Sequence, residues 1–469
     1  MKKTIALFLA TVMMLGVFAG CGSKKEDSAP AAPETEQTTT PETPATKPEA
    51  TEPEVPAAET TIKVAAVSTA FTDTYPEMWK EVADAFTAET GIAVELIEEK
   101  NLEDVISPAM QGGEYPDVIY LPYGRPAALT EQFVKGDLMA DLTDVLSMTV
   151  PGEEALVSDK IAGGFTDTSL TNPYADGKTY LAPMFYDPCG LFYNAGLLKE
   201  KGWEVPTTWD EMWALGDAAR AEGISLFTYP TTGYFDAFLY ALMYTVGGPE
   251  FFEKATHYEE GVWDTPEAQT CFDIIAKLAT YTNPVTPAQA NDQDFRHNQQ
   301  LILDNEAIFM PNGSWITGEM ADAPRVPGFE WGMTALPAVE EGGDRYSFCW
   351  FQQAWIPSGA ENVDAAKQFV AFLYSDAACE IFAKGGAVQP VIGVADALEG
   401  EKKMFFSIYD NGAKAAMGGF APYEAVAGLG TTREVFLDPV NDLVSGYTTV
   451  EKYVSSIKEA SDLMRANLK

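Results

Sequence analysis

The sequence predicts an α/β protein of two halves, each a mixed sheet flanked by helices. Three observations predict it. Short apolar runs alternate with amphipathic helical stretches from residue 62 onward, the pattern of βαβ units. That alternation begins again after an aromatic- and proline-rich stretch at 180–194, YLAPMFYDPCGLFYN. The 469 residues are 46% apolar and 12% aromatic, enough for two sizeable cores.

The stretch 180–194 reads as strand, short break, strand. Pro183 and Pro188 cannot donate to a ladder, so neither suits the middle of a central strand. An apolar chain broken by an aromatic pair, an acid and a proline fits a crossing between two halves. An ordinary hairpin or a kinked strand in one domain is the alternative.

In chain order, residues 1–21 form an export signal: Lys2 and Lys3, an apolar run at 5–17, then Ala19-Gly20 before Cys21. Phe18-Ala19-Gly20-Cys21 resembles a bacterial lipobox, which implies cleavage before Cys21 and lipidation of its sulfur. The apolar run is short for a spanning helix, which needs about 20 residues. Residues 22–60 are rich in Pro, Thr, Glu and Ala and cannot bury a core. At roughly 3 Å per residue this tether reaches on the order of 100 Å.

A strand at 62–67 opens the folded part, followed by a polar-aromatic loop at 68–75. The helix at 76–90 carries Met78, Trp79, Val82 and Phe86 on one face, and Gly91 ends it. A strand at 92–97, a helix within 101–111 and a strand at 117–121 follow. After the crossing, Thr208-Trp209-Asp210-Glu211 fits a capping box opening a helix to about residue 222. Next come a strand at 224–228 and an almost wholly apolar, hence buried, helix at 235–246. Thr265-Pro266-Glu267 starts a helix with Cys271, Phe272, Ile275 and Leu278 inward. Strands at 307–310 and 354–357, helices at 365–374 and 377–382, and a closing helix at 449–467 complete the chain.

A net charge of −40 argues against nucleic acid or an anionic membrane surface as partner. Five irregularly spaced cysteines make neither a disulfide framework nor a zinc ribbon. His257 and His297 leave little for metal ligation or triad chemistry, so no catalytic set, cofactor or metal is expected.

Ligands of open α/β sheets bind beyond the carboxyl ends of strands. Here those loops carry aromatics: Phe71, Asp73 and Tyr75 after the first strand, then Tyr120, Tyr123 and Arg125 after the third. The crossing supplies Tyr186 and Asp187, and a later loop Tyr234 and Phe235. Trp315 follows the strand at 307, Trp350 and Phe351 precede the strand at 354, and Arg433 offers a further basic group. Rigid rings cover the C–H face of a pyranose at low entropy cost. Asp, Asn, Gln and Arg serve its hydroxyls. This composition suits a neutral sugar rather than a phosphate or metal.

From residue 62 to 469 the chain resembles the maltose-binding-like class of extracellular solute-binding proteins that serve ABC importers. The resemblance lies in Asp176-Gly177-Lys178-Thr179-Tyr180-Leu181-Ala182-Pro183, and in Leu191-Phe192-Tyr193-Asn194 with Leu197-Leu198. Gly202-Trp203, Val205-Pro206-Thr207-Thr208-Trp209-Asp210-Glu211, Asn312-Gly313-Ser314-Trp315, and Trp355-Ile356-Pro357 before Ala365-Ala366-Lys367-Gln368-Phe369 extend it. It implies a periplasmic-binding-protein-like fold: 61–186 plus 350–391 as one lobe, 187–349 plus 392–469 as the other, hinged to close on a sugar. By position it makes Asp187 an acidic contact, Tyr234 and Phe235 the aromatic pair, Trp315 a stacking ring and Arg125 a basic contact. Gly124 and Thr232 depart from the aspartate and glutamate of maltose binders, whereas Gly202-Trp203 and the crossing resemble members for N-acetylglucosamine or chitobiose. The implied protein is a monomeric lipoprotein anchored outside the cell membrane, with a permease as partner. The same fold holding a peptide, polyamine or anion is one alternative. A glycoside hydrolase using Asp187 with Asp73 or Glu424 is the other.

Overall fold

The computed structural model describes residues 60–468 apart from 124, 126, 167 and 292. The expected export signal, the expected lipidation of Cys21 and the expected tether to residue 59 lie outside the described residues.

Nine strands are present among the described residues: β1 (Thr61–Val67), β2 (Ala93–Glu99), β3 (Val118–Tyr120), β4 (Leu181–Asn194), β5 (Ser225–Phe227), β6 (Ala307–Gly313), β7 (Trp331–Thr334), β8 (Tyr346–Trp355) and β9 (Lys414–Ala416). They run in the order β2-β1-β3-β8-β4-β6-β5, with β7 added to β4 and β9 to β8. Parallel pairing of β1 with β2 and β3 makes one end, and parallel β5 and β6 the other. Antiparallel β4 and β8 lie between them. Val64 to Val67 are all buried, as a parallel strand covered on both faces requires.

The expected break at 180–194 is absent: β4 is one strand of 14 residues. Its first half pairs with β8, and its second half lies between β6 and β7. Pro183 stands where the register with β8 shifts, and Pro188 is the last position paired with β8 before Cys189 takes up β6. Both prolines therefore sit where regular pairing is already interrupted, which is where a strand tolerates a missing donor.

Other expectations are corrected locally. The loop at 68–75 contains a short helix, Ala70–Thr74, because Thr69 and Thr72 form a reciprocal capping box. The helix expected from Pro76 begins at Met78, with its inner face buried as read. The apolar helix extends over Phe235–Thr256 across a kink at Gly248. Trp350 and Phe351 lie inside β8 rather than before a strand. Thr208 and Glu211 make the capping box of Trp209–Ala221 as the sequence indicates.

Two hydrophobic cores result. Trp79 packs against Tyr120, Phe185 and Phe382 in the first. Phe227, Phe235, Phe238 and Trp209 belong to the second. The first core also takes in Leu301 to Leu303, Phe405, Phe406 and Tyr409 from later in the chain. Alternation along β4 divides its side chains: Cys189 and Leu191 face the second core and Phe192 the first. The four described cysteines are free, and Cys349, opposite Pro188, lies in the other core from Cys189.

Candidate functional site

The candidate site lies where β4 changes neighbours. Asp187 pairs in register with Trp350 of β8, whose ring is 50% exposed. The end of β6 delivers Ser314, whose Oγ donates to Asp187 Oδ1 at 3.1 Å and whose amide donates to the Pro188 carbonyl at 3.0 Å. Trp315 follows, its ring lying across the α-carbon of Gly313. A Cβ there would be 2.1 Å from Trp315 Cζ3, so only glycine admits the ring. Tyr234, just ahead of the helix Phe235–Thr256, meets Trp315 edge to face at 6.2 Å between centroids. Phe295 stacks at 6.2 Å from Tyr234, and the phenol donates to Glu319 Oε1 at 2.7 Å.

Burial raises the Asp187 carboxyl above its ordinary range, against the Ser314 hydrogen bond and the charge of Lys402. Asp236, which the sequence reading passed over, is pushed up to about 7 by burial, although part of its side chain still reaches the surface. Its own helix amide at Ala237 and the Arg433 charge offset this only partly. An acid in the first turn of a helix reads in sequence as a partner of the helix dipole, which hid its burial. The folded value exceeds the free-acid value of 3.8, so the native state holds the proton more tightly. That contribution is complete below the free-acid value and is lost as pH rises through about 7. Asp236→Asn is therefore expected to be more stable than the parent at pH 8, by on the order of 2 kcal/mol after allowance for solvent screening. Melting temperature measured from pH 4 to 8 checks this through a flatter profile in the variant; parallel profiles would count against it.

The remaining candidates are placed as follows. Tyr186 is buried in the first core with its hydroxyl on the Phe406 carbonyl at 3.3 Å. Phe351 is in that core too, and Phe235 in the second. Tyr120 is buried and donates to Gln352 Oε1, and the Tyr123 amide donates to Gln353 Oε1 at 3.4 Å. Phe71 packs edge-on against Phe185 at 5.5 Å, Asp73 is exposed, and the Tyr75 phenol bonds Glu81. The Arg125 guanidinium is engaged by Glu103 at 2.9 Å and by the Lys100 carbonyl at 3.2 Å. Arg433 Nε donates to Thr232 Oγ1 at 3.2 Å and to Asp438 at 3.3 Å. Direct pairing and contact thus connect Trp350 to Asp187, Asp187 to Ser314, and Trp315 to Tyr234. Among the described residues no cluster of three or more His, Cys, Asp or Glu could hold a metal.

Two sheet regions sharing β4 and β8, with rings and acids at the shared strands, define a periplasmic-binding-protein-like fold of two lobes. The chain belongs to the bacterial extracellular solute-binding protein family, which it matches over residues 69–378. It is 25% identical over 206 residues to the diacetylchitobiose binding protein NgcE of Streptomyces coelicolor, covering 43% of this chain and 42% of that protein. It is 25% identical over 307 residues to a galactooligosaccharide-binding protein of Bacillus subtilis, covering 63% and 66% respectively. The chain thus spans less than two thirds of either relative. Among solved structures, the bacterial solute receptor AcbH, described as preferring β-D-galactopyranose, superposes with a TM-score of 0.62. That match has 18% identity and covers 86% of this chain and 99% of the other.

Proposed function

We propose that the protein captures a neutral mono- or oligosaccharide between two lobes and hands it, unaltered, to the permease of an ABC importer. The observation that carries this is the Trp315–Tyr234 edge-to-face pair, with Trp315 next in the chain to Ser314, which holds the Asp187 carboxyl. Flat apolar area next to a desolvated acceptor matches the C–H face and hydroxyl rim of a pyranose. The half-exposed ring of Trp350, opposite Asp187, offers a second apolar face. The diacetylchitobiose and galactooligosaccharide relatives support the sugar class, and the first of them favours an N-acetylglucosamine- or chitobiose-like ligand.

In this reading Asp187, Tyr234, Trp315 and Trp350 form the sugar contact set, and the buried rings of Tyr186, Phe235 and Phe351 support it from behind. The lobes, 61–186 plus 350–391 and 187–349 plus 392–469, close about β4 and β8 when sugar bridges them, which shifts the population toward the shut form. The chain acts as a monomer held outside the cell membrane by a lipid on Cys21.

A thermal-shift panel tests the reading, because a ligand that binds only the native state raises its melting temperature by mass action. N,N′-diacetylchitobiose, galactooligosaccharides and maltotriose are the first probes. At least one sugar is expected to raise the melting temperature and to be recovered intact after long incubation. A panel in which only peptides or polyamines stabilise the protein, or in which sugars are cleaved, would overturn it.

A further inference from the structure

Glu319 closes the four-residue helix Ile316–Glu319 that follows Trp315. Its Oε1 accepts the Tyr234 phenol at 2.7 Å, and its Oε2 accepts Gln299 Nε2 at 2.6 Å. Its main-chain carbonyl accepts the guanidinium of Arg296. Phe295, Arg296, Asn298 and Gln299 all come from one helix, Phe295–Leu303. Asn298 of that helix ties down the chain before Tyr234, donating Nδ2 to the Pro230 carbonyl at 3.2 Å and to the Thr286 carbonyl at 3.0 Å. Gln299 is wholly buried, with its Oε1 unpartnered. Its amide orientation is nonetheless dictated: turned over, that oxygen would face the Glu319 carboxylate. One helix therefore grips both the loop that carries Tyr234 and the acid that holds its phenol.

We infer that Glu319 is a positioning and specificity-determining residue: it fixes the Tyr234 ring against Trp315 and occupies its only hydroxyl proton, so that Tyr234 meets the ligand as an acceptor. This rests on the sugar-binding reading above. A phenol has one donor and two lone pairs. With the donor committed to Glu319 and the Trp315 side chain hydrogen-bonding to the same oxygen, what the phenol still offers is a lone pair, and the ligand must supply an O–H or N–H. A sugar whose matching hydroxyl is replaced by fluorine or methoxy leaves a desolvated acceptor unpaired, which costs far more than an absent contact in water. A glutamate that served only to anchor the Ile316–Glu319 turn would have no such link to Tyr234.

The test compares the parent with Glu319→Ala, Glu319→Gln, Tyr234→Phe and the Tyr234→Phe/Glu319→Ala double variant. Calorimetry with N,N′-diacetylchitobiose and galactobiose reads affinity. Ultraviolet resonance Raman of the unliganded proteins, as differences from Tyr234→Phe, reads the hydrogen bonding of the Tyr234 phenol. Glu319→Ala is expected to weaken binding about tenfold, as loss of a charge-assisted hydrogen bond does. That penalty should shrink to less than about twofold on the Tyr234→Phe background, since the two residues act as one unit. Glu319→Gln keeps an oxygen for the phenol and gives Gln299 Oε1 a donor once the amide turns, so it should restore affinity. The donor signature of Tyr234 should vanish in Glu319→Ala and return in Glu319→Gln. A full penalty that persists without the Tyr234 hydroxyl overturns the inference, as does parental affinity in Glu319→Ala. If neither sugar binds any of the proteins, the sugar reading is what fails. The Raman difference then decides the positioning role alone, and an unchanged Tyr234 signature in Glu319→Ala ends it.

Discussion

Trp315→Ala is expected to weaken sugar binding by about 1–3 kcal/mol, roughly 5- to 150-fold, with the fold intact. The ring is only partly buried in the unliganded protein and meets Tyr234 at its edge, so its loss removes ligand contact more than core packing. Gly313→Ala makes the same point without deleting the ring. The new methyl would lie 2.1 Å from Trp315 Cζ3, and the indole must swing off the strand to admit it. Both variants should lose affinity in calorimetry while melting within a few degrees of the parent. Undiminished affinity in two well-folded variants would mean that the cleft has been misplaced.

Gly196→Ala is expected to destabilise the fold by about 1–3 kcal/mol or more, with no direct effect on the ligand. Gly196 lies in the first turn of the helix Ala195–Lys201, directly after β4. A Cβ there would stand 2.0 Å from the Gly328 carbonyl oxygen, a backbone atom that cannot rotate aside. The same junction explains Asn194, which caps that helix at the Gly196 amide, accepts the Glu330 amide at 3.1 Å and donates to Asn305 at 2.7 Å. Backbone and cap therefore lock the end of β4 to the 328–330 turn, and chemical denaturation should show the loss as a lower midpoint. A midpoint equal to that of the parent would show that the turn yields freely.

Class and local elements were legible in the residues themselves. The capping box Thr208–Glu211, the buried face of the helix Met78–Thr90 and the Thr265 cap are decided by neighbours three or four positions apart. The motifs around 176–194 and 312–315 were enough to place the chain in its family; Tyr234 and Trp315 were candidates from loops at strand ends and from that resemblance, Asp187 from the expected crossing and the resemblance, and Trp350 from its place before an expected strand.

What only the tertiary structure decided is which side each of those residues faces. Trp350 and Phe351 are neighbours in sequence, yet one is half exposed and the other is core, because side chains along a strand alternate. Which alternate faces water depends on the strands laid beside it, and that is a matter of long-range pairing. The same dependence made one strand of 180–194, where two prolines argued for a break, and sent Tyr186 and Phe235 inward. It also buried Asp236 and gave the Tyr234 phenol to Glu319, 85 residues away. Desolvation and distant hydrogen bonds are set by the packed neighbours and leave no mark on the local pattern of residues.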